Sequence, residues 1–202
     1  MKIYDATNAP NPRRVRIFLA EKGITVPFEQ VDLRARVNRQ AAFREKNPFG
    51  TIPVLELDDG TCISESVAIC RYFEELQPEP PLFGVGALER AEVEMWNRRV
   101  ELILSQAISM VWVHGSPLTA ALLTQIPDNV EPNRKRAAHF FGVLDQNLAR
   151  RRFIASERLS IADISALCSI DFARIVDIRP HPELVHIARW HRELSSRDSA
   201  RA

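Results

Sequence analysis

Cysteine is scarce in this chain, and what there is lies scattered. Cys62, Cys70 and Cys168 are the three among 202 residues, with no Cys-x-x-Cys pair and no metal-ligand spacing. That argues against a disulfide framework and a cysteine-built metal site. Cys70 and Cys168 fall on apolar faces and read as core residues of a chain kept in a reducing cytoplasm. No run of about 18 apolar residues occurs, so no membrane span is expected. The opening Lys2-Ile3-Tyr4 reads as a strand rather than a signal peptide. An excess of one charge is missing too: 27 basic and 26 acidic residues leave a net charge of +1. Without a basic stripe, nucleic acid is not the expected partner. Internal repeats and low-complexity tracts are absent. What is present is 46% apolar residues, enough for a proper core. The length allows one large or two small domains.

The densest signal is Asn47-Pro48-Phe49-Gly50-Thr51-Ile52-Pro53-Val54-Leu55, followed by Asp58-Asp59-Gly60 and Ile63-Ser64-Glu65-Ser66. It reads as a turn, a proline opening an apolar strand, a tight two-residue Asp-Gly hairpin, a second short strand and a helix start. A proline has no N–H for a sheet ladder, so Pro53 belongs at a strand's first residue or on an edge. One reading is a trans proline there. The other is a cis proline that leaves the backbone of Ile52 free to pair with an extended peptide ligand. Ser66 opens a helix carrying Ala68, Ile69, Tyr72, Phe73 and Leu76 at helical spacing. A helix N-terminus favours a bound carboxylate, and Glu65 beside it offers an acceptor for an ammonium group. Together they suit an α-amino-acid end. The plainer reading is a Ser N-cap beside a solvated Glu.

Taken in order, residues 2–5 read as a strand and residues 7–12 as a loop, with Asn11 as N-cap and Pro12 at the first helical position. The helix carries Val15, Phe18 and Leu19 and ends at Gly23. Residues 26–32 alternate as a second strand, and residues 34–46 read as a weak helix. The first 77 residues are therefore βαβ-α-ββα. Residues 78–88 form a proline-rich linker, since Pro78, Pro80 and Pro81 cannot continue a helix. From 89 to 202 the pattern is all-α. A long helix carries Trp96, Val100, Ile103, Ala107 and Met110, and a short run spans Leu118 to Gln125. Another helix carries Ala137, Phe140, Leu144 and Leu148. Ser160-Ile161-Ala162-Asp163 reads as a capping box opening a helix with Ile164, Leu167 and Phe172. Trp190 and Leu194 suggest one more.

A small α/β domain of this order resembles the thioredoxin fold, although Ala9-Pro10-Asn11-Pro12 stands where redox thioredoxins carry Cys-x-x-Cys. With the linker and the all-α domain, the whole chain resembles the cytosolic glutathione transferases. Three motifs carry the likeness: Asn47-Pro48-x-Gly50-x-Ile52-Pro53-Val54-Leu55, Ile63-Ser64-Glu65-Ser66-x-Ala68-Ile69, and Ser160-Ile161-Ala162-Asp163. Residues 4–23 and 55–61 look most like the bacterial and fungal subgroup typified by the second yeast glutathione transferase. The resemblance implies glutathione as co-substrate, with Ile52 meeting the cysteinyl unit through its backbone, Pro53 cis, and Glu65 and Ser66 at the γ-glutamyl end. It implies a structural role for Ser160 and Asp163, a cytoplasmic homodimer, and an apolar electrophile as second substrate. No metal is implied.

Many members of the family place a Tyr, Ser or Cys in the first loop to hold the thiolate. Here Tyr4 is inside the expected strand and Ala9 stands in the loop. Asn11 could donate its amide N–H to the sulfur, with the helix N-terminus lowering the thiol pKa. Thr7 and Asn8 are weaker loop candidates. The subgroup resemblance implies instead a Ser and a His acting through water, and Ser109 and His114 on the long helix are the pair available. Met110, Val111 and Trp112 are expected near the second-substrate pocket. Arg13 and Arg14 read as surface or interface charges, with a glutathione carboxylate as the alternative. A glutathione-dependent peroxidase or thioltransferase would want a cysteine in the first loop. A non-catalytic binding protein would be expected to lose Glu65-Ser66 or Pro53.

Overall fold

Two short strands meet side by side at the start of the fold. In the computed structural model, which describes residues 1–202, Lys2–Asp5 (β1) pairs in parallel with Phe28–Gln30 (β2), with Asp5 level with Gln30. Val54–Glu56 (β3) runs antiparallel to β1, and Cys62–Ser64 (β4) runs antiparallel to β3, giving the order β2-β1-β3-β4. Ile3 and Tyr4 point to opposite faces and both are buried, so β1 is covered on its two sides. On one face Tyr4, Val31, Phe43 and Val54 pack together. Pro10–Lys22 (α1) packs against Ser66–Leu76 (α3).

The expected weak helix at 34–46 resolves into a 3₁₀ turn, Val37–Arg39, and one short helix, Ala41–Arg44 (α2). The second strand is three residues rather than seven. The hairpin is longer than the two-residue turn its Asp-Gly suggested. Leu57 N–H reaches Thr61 O at 2.9 Å, and Gly60 takes φ +86° after Asp59, the three-residue form in which a glycine supplies the left-handed position.

The chain divides into two units, residues 1–81 with 198–202, and residues 82–197. The expected second domain, 89–202, differs from this at its end: Asp198–Ala202 belong with the first unit. There Arg13 Nη2 donates to Ala200 O at 3.1 Å, and Ser199 Oγ donates to Glu21.

The second unit is helical. Gly86–Arg99 (α4) passes through a π-helical stretch, Val100–Ser105, into Gln106–Gly115 (α5). The single long helix read from periodicity is thus interrupted. The packing explains where. α4 lies on Ile161–Ala173 (α8), α5 lies on Val130–Leu148 (α7), and the π stretch touches both. Ser105 Oγ donates to Val100 O at 3.1 Å and lies 2.6 Å from Ser169 Oγ, which pins the wide turn. Pro117–Ala120 (α6) is shorter than the run expected to reach Gln125, and Val185–Ser195 (α9) closes the unit.

Ser160 and Asp163 form a capping box at the start of α8. The Asp163 carboxylate, 0% exposed, accepts from Ile154 N–H, Trp190 Nε1–H, Ser160 N–H and Ser160 Oγ–H at 2.8–3.0 Å. Burial pushes this carboxyl up, and the four donors pull against it. Asp163 joins α8, α9 and the 154 loop. All of these contacts are internal to the second unit.

Candidate functional site

The turn before β3 is fixed by side chains. Asn47 is fully buried, with Nδ2 donating to Thr51 O (2.9 Å) and Thr51 Oγ1 (2.8 Å) and Oδ1 accepting from Phe49 N–H (3.2 Å). Gly50 has φ +60°, and a Cβ there would stand 2.5 Å from Asn38 O. Asn38 Nδ2 in turn donates to Gly50 O at 2.7 Å. This turn delivers Ile52 and Pro53, whose peptide bond is cis. Pairing of Val54 with Ser64 sets Pro53 beside Glu65, so Ile52–Pro53 and Glu65–Ser66 share one end of the hairpin.

Glu65 is the N-cap of α3, with φ +68°, a conformation rare outside glycine and costing about 1–3 kcal/mol. Ser66, expected as the cap, is instead the first helical residue, where its N–H has no intrahelical acceptor. Ser66 Oγ accepts from Arg14 Nη1 at 2.8 Å. Arg14 is only 4% exposed, which corrects its reading as a surface charge. Arg14, Phe18 and Lys22 stand four apart on α1, one stripe that faces α3. Lys22 at the far end is buried against Glu74, with Nζ–Oε2 at 2.6 Å. The spacing from Phe18 was the signal available in the sequence for both cations.

The first loop departs from expectation. α1 begins at Pro10 with extended Ala9 as its cap, and Asn11 is the second helical residue, exposed, rather than the cap. Pro10 suits a first helical position as well as Pro12 does, and the earlier proline takes it. Pro10 and Pro12 have no N–H, and Arg13 N–H donates to Ala9 O at 3.2 Å. Asn11 therefore carries the one backbone N–H that the first three helical positions offer.

In the second unit Ser109 is exposed on α5 and His114 is half-buried near its end. Five residues apart, they project about 140° from one another around the helix. His114 Nδ1 accepts from Ile126 N–H at 3.2 Å, which puts the proton of a neutral ring on Nε2. Val111 is buried in the core, whereas Met110 and Trp112 are half-buried, with Trp112 edge-on to Phe172 at 5.8 Å. No group of three or more His, Cys, Asp or Glu is placed to hold a metal ion. No helix is long and apolar enough to cross a membrane.

Residues 9–76 match the family model for the glutathione S-transferase N-terminal domain, and residues 113–198 match that for the C-terminal domain. The chain is 35% identical to glutathione S-transferase 2 of Saccharomyces cerevisiae over its full length and 88% of that protein. The chain belongs to the glutathione S-transferase family. Among solved structures, a glutathione S-transferase domain-containing protein of Marinobacter aquaeolei superposes with a TM-score of 0.93 at 38% identity, covering 98% of this chain and 99% of that one. Gtt2 of S. cerevisiae also gives 0.93, at 34% identity, covering 100% of this chain and 99% of its own. The transferase fold thus accounts for both units, the four-stranded sheet with its helices and the helical remainder.

Proposed function

We propose that this chain is a glutathione transferase whose first unit binds glutathione and whose product is a thioether. Bound as thiolate, the glutathione sulfur attacks an electrophilic carbon of an apolar co-substrate. A C–S bond forms, and a leaving group departs or the adduct takes up a proton. The observation that carries this reading is the shared hairpin end. It offers the Ile52 backbone beside cis-Pro53 for an extended peptide, and the α3 N-terminus with Glu65 for an α-amino-acid end. Arg14 beneath Ser66 adds a fixed positive charge under the carboxylate position.

Thiol activation falls to Asn11 at the start of α1, or to Ser109 and His114 on α5. The engaged Nδ1 of His114 weighs against that residue as a base unless its tautomer changes. We place the chain in the cytoplasm as a homodimer, and the dimer is supported by an apolar stripe in the second unit: Leu88, Met95 and Leu102 are exposed and stand seven apart. Sedimentation of the free protein at twice the 23.0 kDa chain mass is expected.

The deciding experiment is a titration of thiolate absorbance for glutathione bound to the protein and to its Asn11→Ala, Ser109→Ala and His114→Ala variants. Ionisation well below the free thiol's range is expected, and the variant that returns it upward names the activator. Binding without a shift would make the chain a glutathione-binding protein, and no binding would remove both readings.

A further inference from the structure

Four side chains close a ring around the loop that precedes α1. Asp5, at the end of β1, is 1% exposed, and both of its carboxylate oxygens are used. Oδ1 accepts from Arg16 Nη1 at 2.5 Å, and Oδ2 accepts from Gln30 Nε2 at 2.6 Å. The same two partners then grip Thr7. Gln30 Oε1 accepts from Thr7 N–H (3.1 Å) and Thr7 Oγ1–H (2.9 Å), while Arg16 Nη2 donates to Thr7 O (2.8 Å). Thr7 is an exposed loop residue, yet its N–H, hydroxyl and carbonyl are all held by side chains anchored on one buried carboxylate. Two residues on, Ala9 N–H closes back to Ala6 O at 2.9 Å, and α1 starts at once.

We propose that Asp5 is a positioning residue for the thiolate. Through Arg16 and Gln30 it sets the Thr7–Ala9 loop, and so the one free N–H at the start of α1, at the place where the sulfur lies. This rests on the glutathione transferase reading above. A loop of small and polar residues has no apolar anchor of its own, so without the ring its backbone would sample many conformations. A fixed donor lowers the thiol pKa only while it stays aimed at the sulfur. Every bond in the ring has a defined direction, because Asp5 only accepts, Arg16 only donates, and Gln30 donates with one end and accepts with the other.

That polarity supplies the test. Asp5→Asn turns an amide NH₂ toward either Gln30 Nε2 or Arg16, donor against donor. Gln30→Glu sets a second carboxylate against Asp5. The double variant Asp5→Asn/Gln30→Glu is complementary again: the introduced amide donates to the introduced carboxylate and accepts from Arg16, and Thr7 keeps its acceptor. Wild type and the three variants are compared for the pKa of bound glutathione's thiol, from thiolate absorbance and from the pH profile of kcat/KM with a chlorodinitrobenzene-type electrophile. Melting temperature is recorded alongside. Each single variant is expected to raise the bound thiol's pKa and to lose about 10- to 100-fold in kcat/KM at neutral pH, with the double variant restoring both. The proposal fails if folded single variants keep the wild-type thiol pKa, if only melting temperature moves, or if the double variant is no better than the singles. Should the singles not fold, the double variant decides alone: a wild-type thiol pKa upholds the ring, and a raised one or no folding overturns it. A wild type that never shifts the thiol would instead strike the transferase reading itself.

Discussion

Replacing Lys22 by methionine removes a cation from one of the most enclosed places in the first unit. Its side chain is 0% exposed, and Nζ lies 2.6 Å from Glu74 Oε2 and 2.7 Å from each of Gln77 O and Pro80 O. Methionine matches the stem in length, so little apolar packing is lost and the change isolates the charge. What stays behind is the Glu74 carboxylate, itself largely buried, facing an apolar thioether, and three carbonyls, those of Gln77, Pro80 and the more distant Pro78, deprived of a charged donor. Breaking a buried pair from one side typically costs about 3–5 kcal/mol. For a chain of 202 residues that corresponds to roughly 6–20 °C in melting temperature. A second variant, Lys22→Met/Glu74→Leu, removes the stranded charge as well and should recover part of the loss. It leaves only the carbonyls short of a donor, a deficit of about 1–3 kcal/mol. Urea unfolding should be followed by far-UV circular dichroism, since Trp96, Trp112 and Trp190 all lie in the second unit and their emission says little about the first. A single variant within about 0.5 kcal/mol of wild type, the range of ordinary surface changes, would refute the argument. So would a double variant no more stable than the single.

Gly50→Ala combines a left-handed φ of +60° with a Cβ only 2.5 Å from Asn38 O, so a loss of about 2 kcal/mol or more is expected. Glutathione affinity measured by calorimetry should fall with it, because this turn delivers Ile52. Asp163→Asn puts an amide NH₂ among four donors, and a loss of about 3 kcal/mol or more in urea is expected; near-neutral stability would contradict the fully accepting role. Glu56 gives a pH-dependent case. Tyr4 Oη–H at 2.6 Å and then Lys46 Nζ at 3.0 Å hold its carboxyl below the usual range. The folded pKa is therefore the lower one, and the stabilisation is present at neutral pH and disappears as pH falls through it. Glu56→Gln should be less stable than wild type at pH 7, with the gap closing below about pH 4. Equal urea midpoints at pH 7, or a gap that persists in acid, would count against it.

Short-range chemistry made several elements of both units legible. The Asp-Gly turn, the proline before β3 and the Ser-x-x-Asp box each act through neighbours within a few residues, and each marked its element. The misreadings share a different origin. Arg14 looks like a surface or interface charge until Phe18 one turn on is seen to face α3, because its partner Ser66 lies about fifty residues away, as Glu74 does from the equally buried Lys22. The π stretch at 100–105 leaves the apolar spacing of the long helix almost unchanged, since what causes it is the change of partner from α8 to α7. At the start of α1 two prolines compete for one position, and only the extended backbone of Ala9 decides between them. The Asp5 ring was invisible for the same reason as the buried cations. Its members are spread over residues 5–30 and meet only when β1 and β2 pair in register.

The return of Asp198–Ala202 to the first unit has a mechanical consequence. Both chain ends lie in that unit, while residues 82–197 form a loop leaving and re-entering it. A load applied between Met1 and Ala202 is carried at one end by β1, paired on both sides in the sheet, and at the other by the weaker contacts of Arg13 with Ala200 and Glu21 with Ser199. Once those give way, the slack of the terminal segment is released and tension passes into the helical unit. Stretched singly between its ends, the molecule should yield in a small early step before the large one. Arg13→Ala should lower the force of that early step alone.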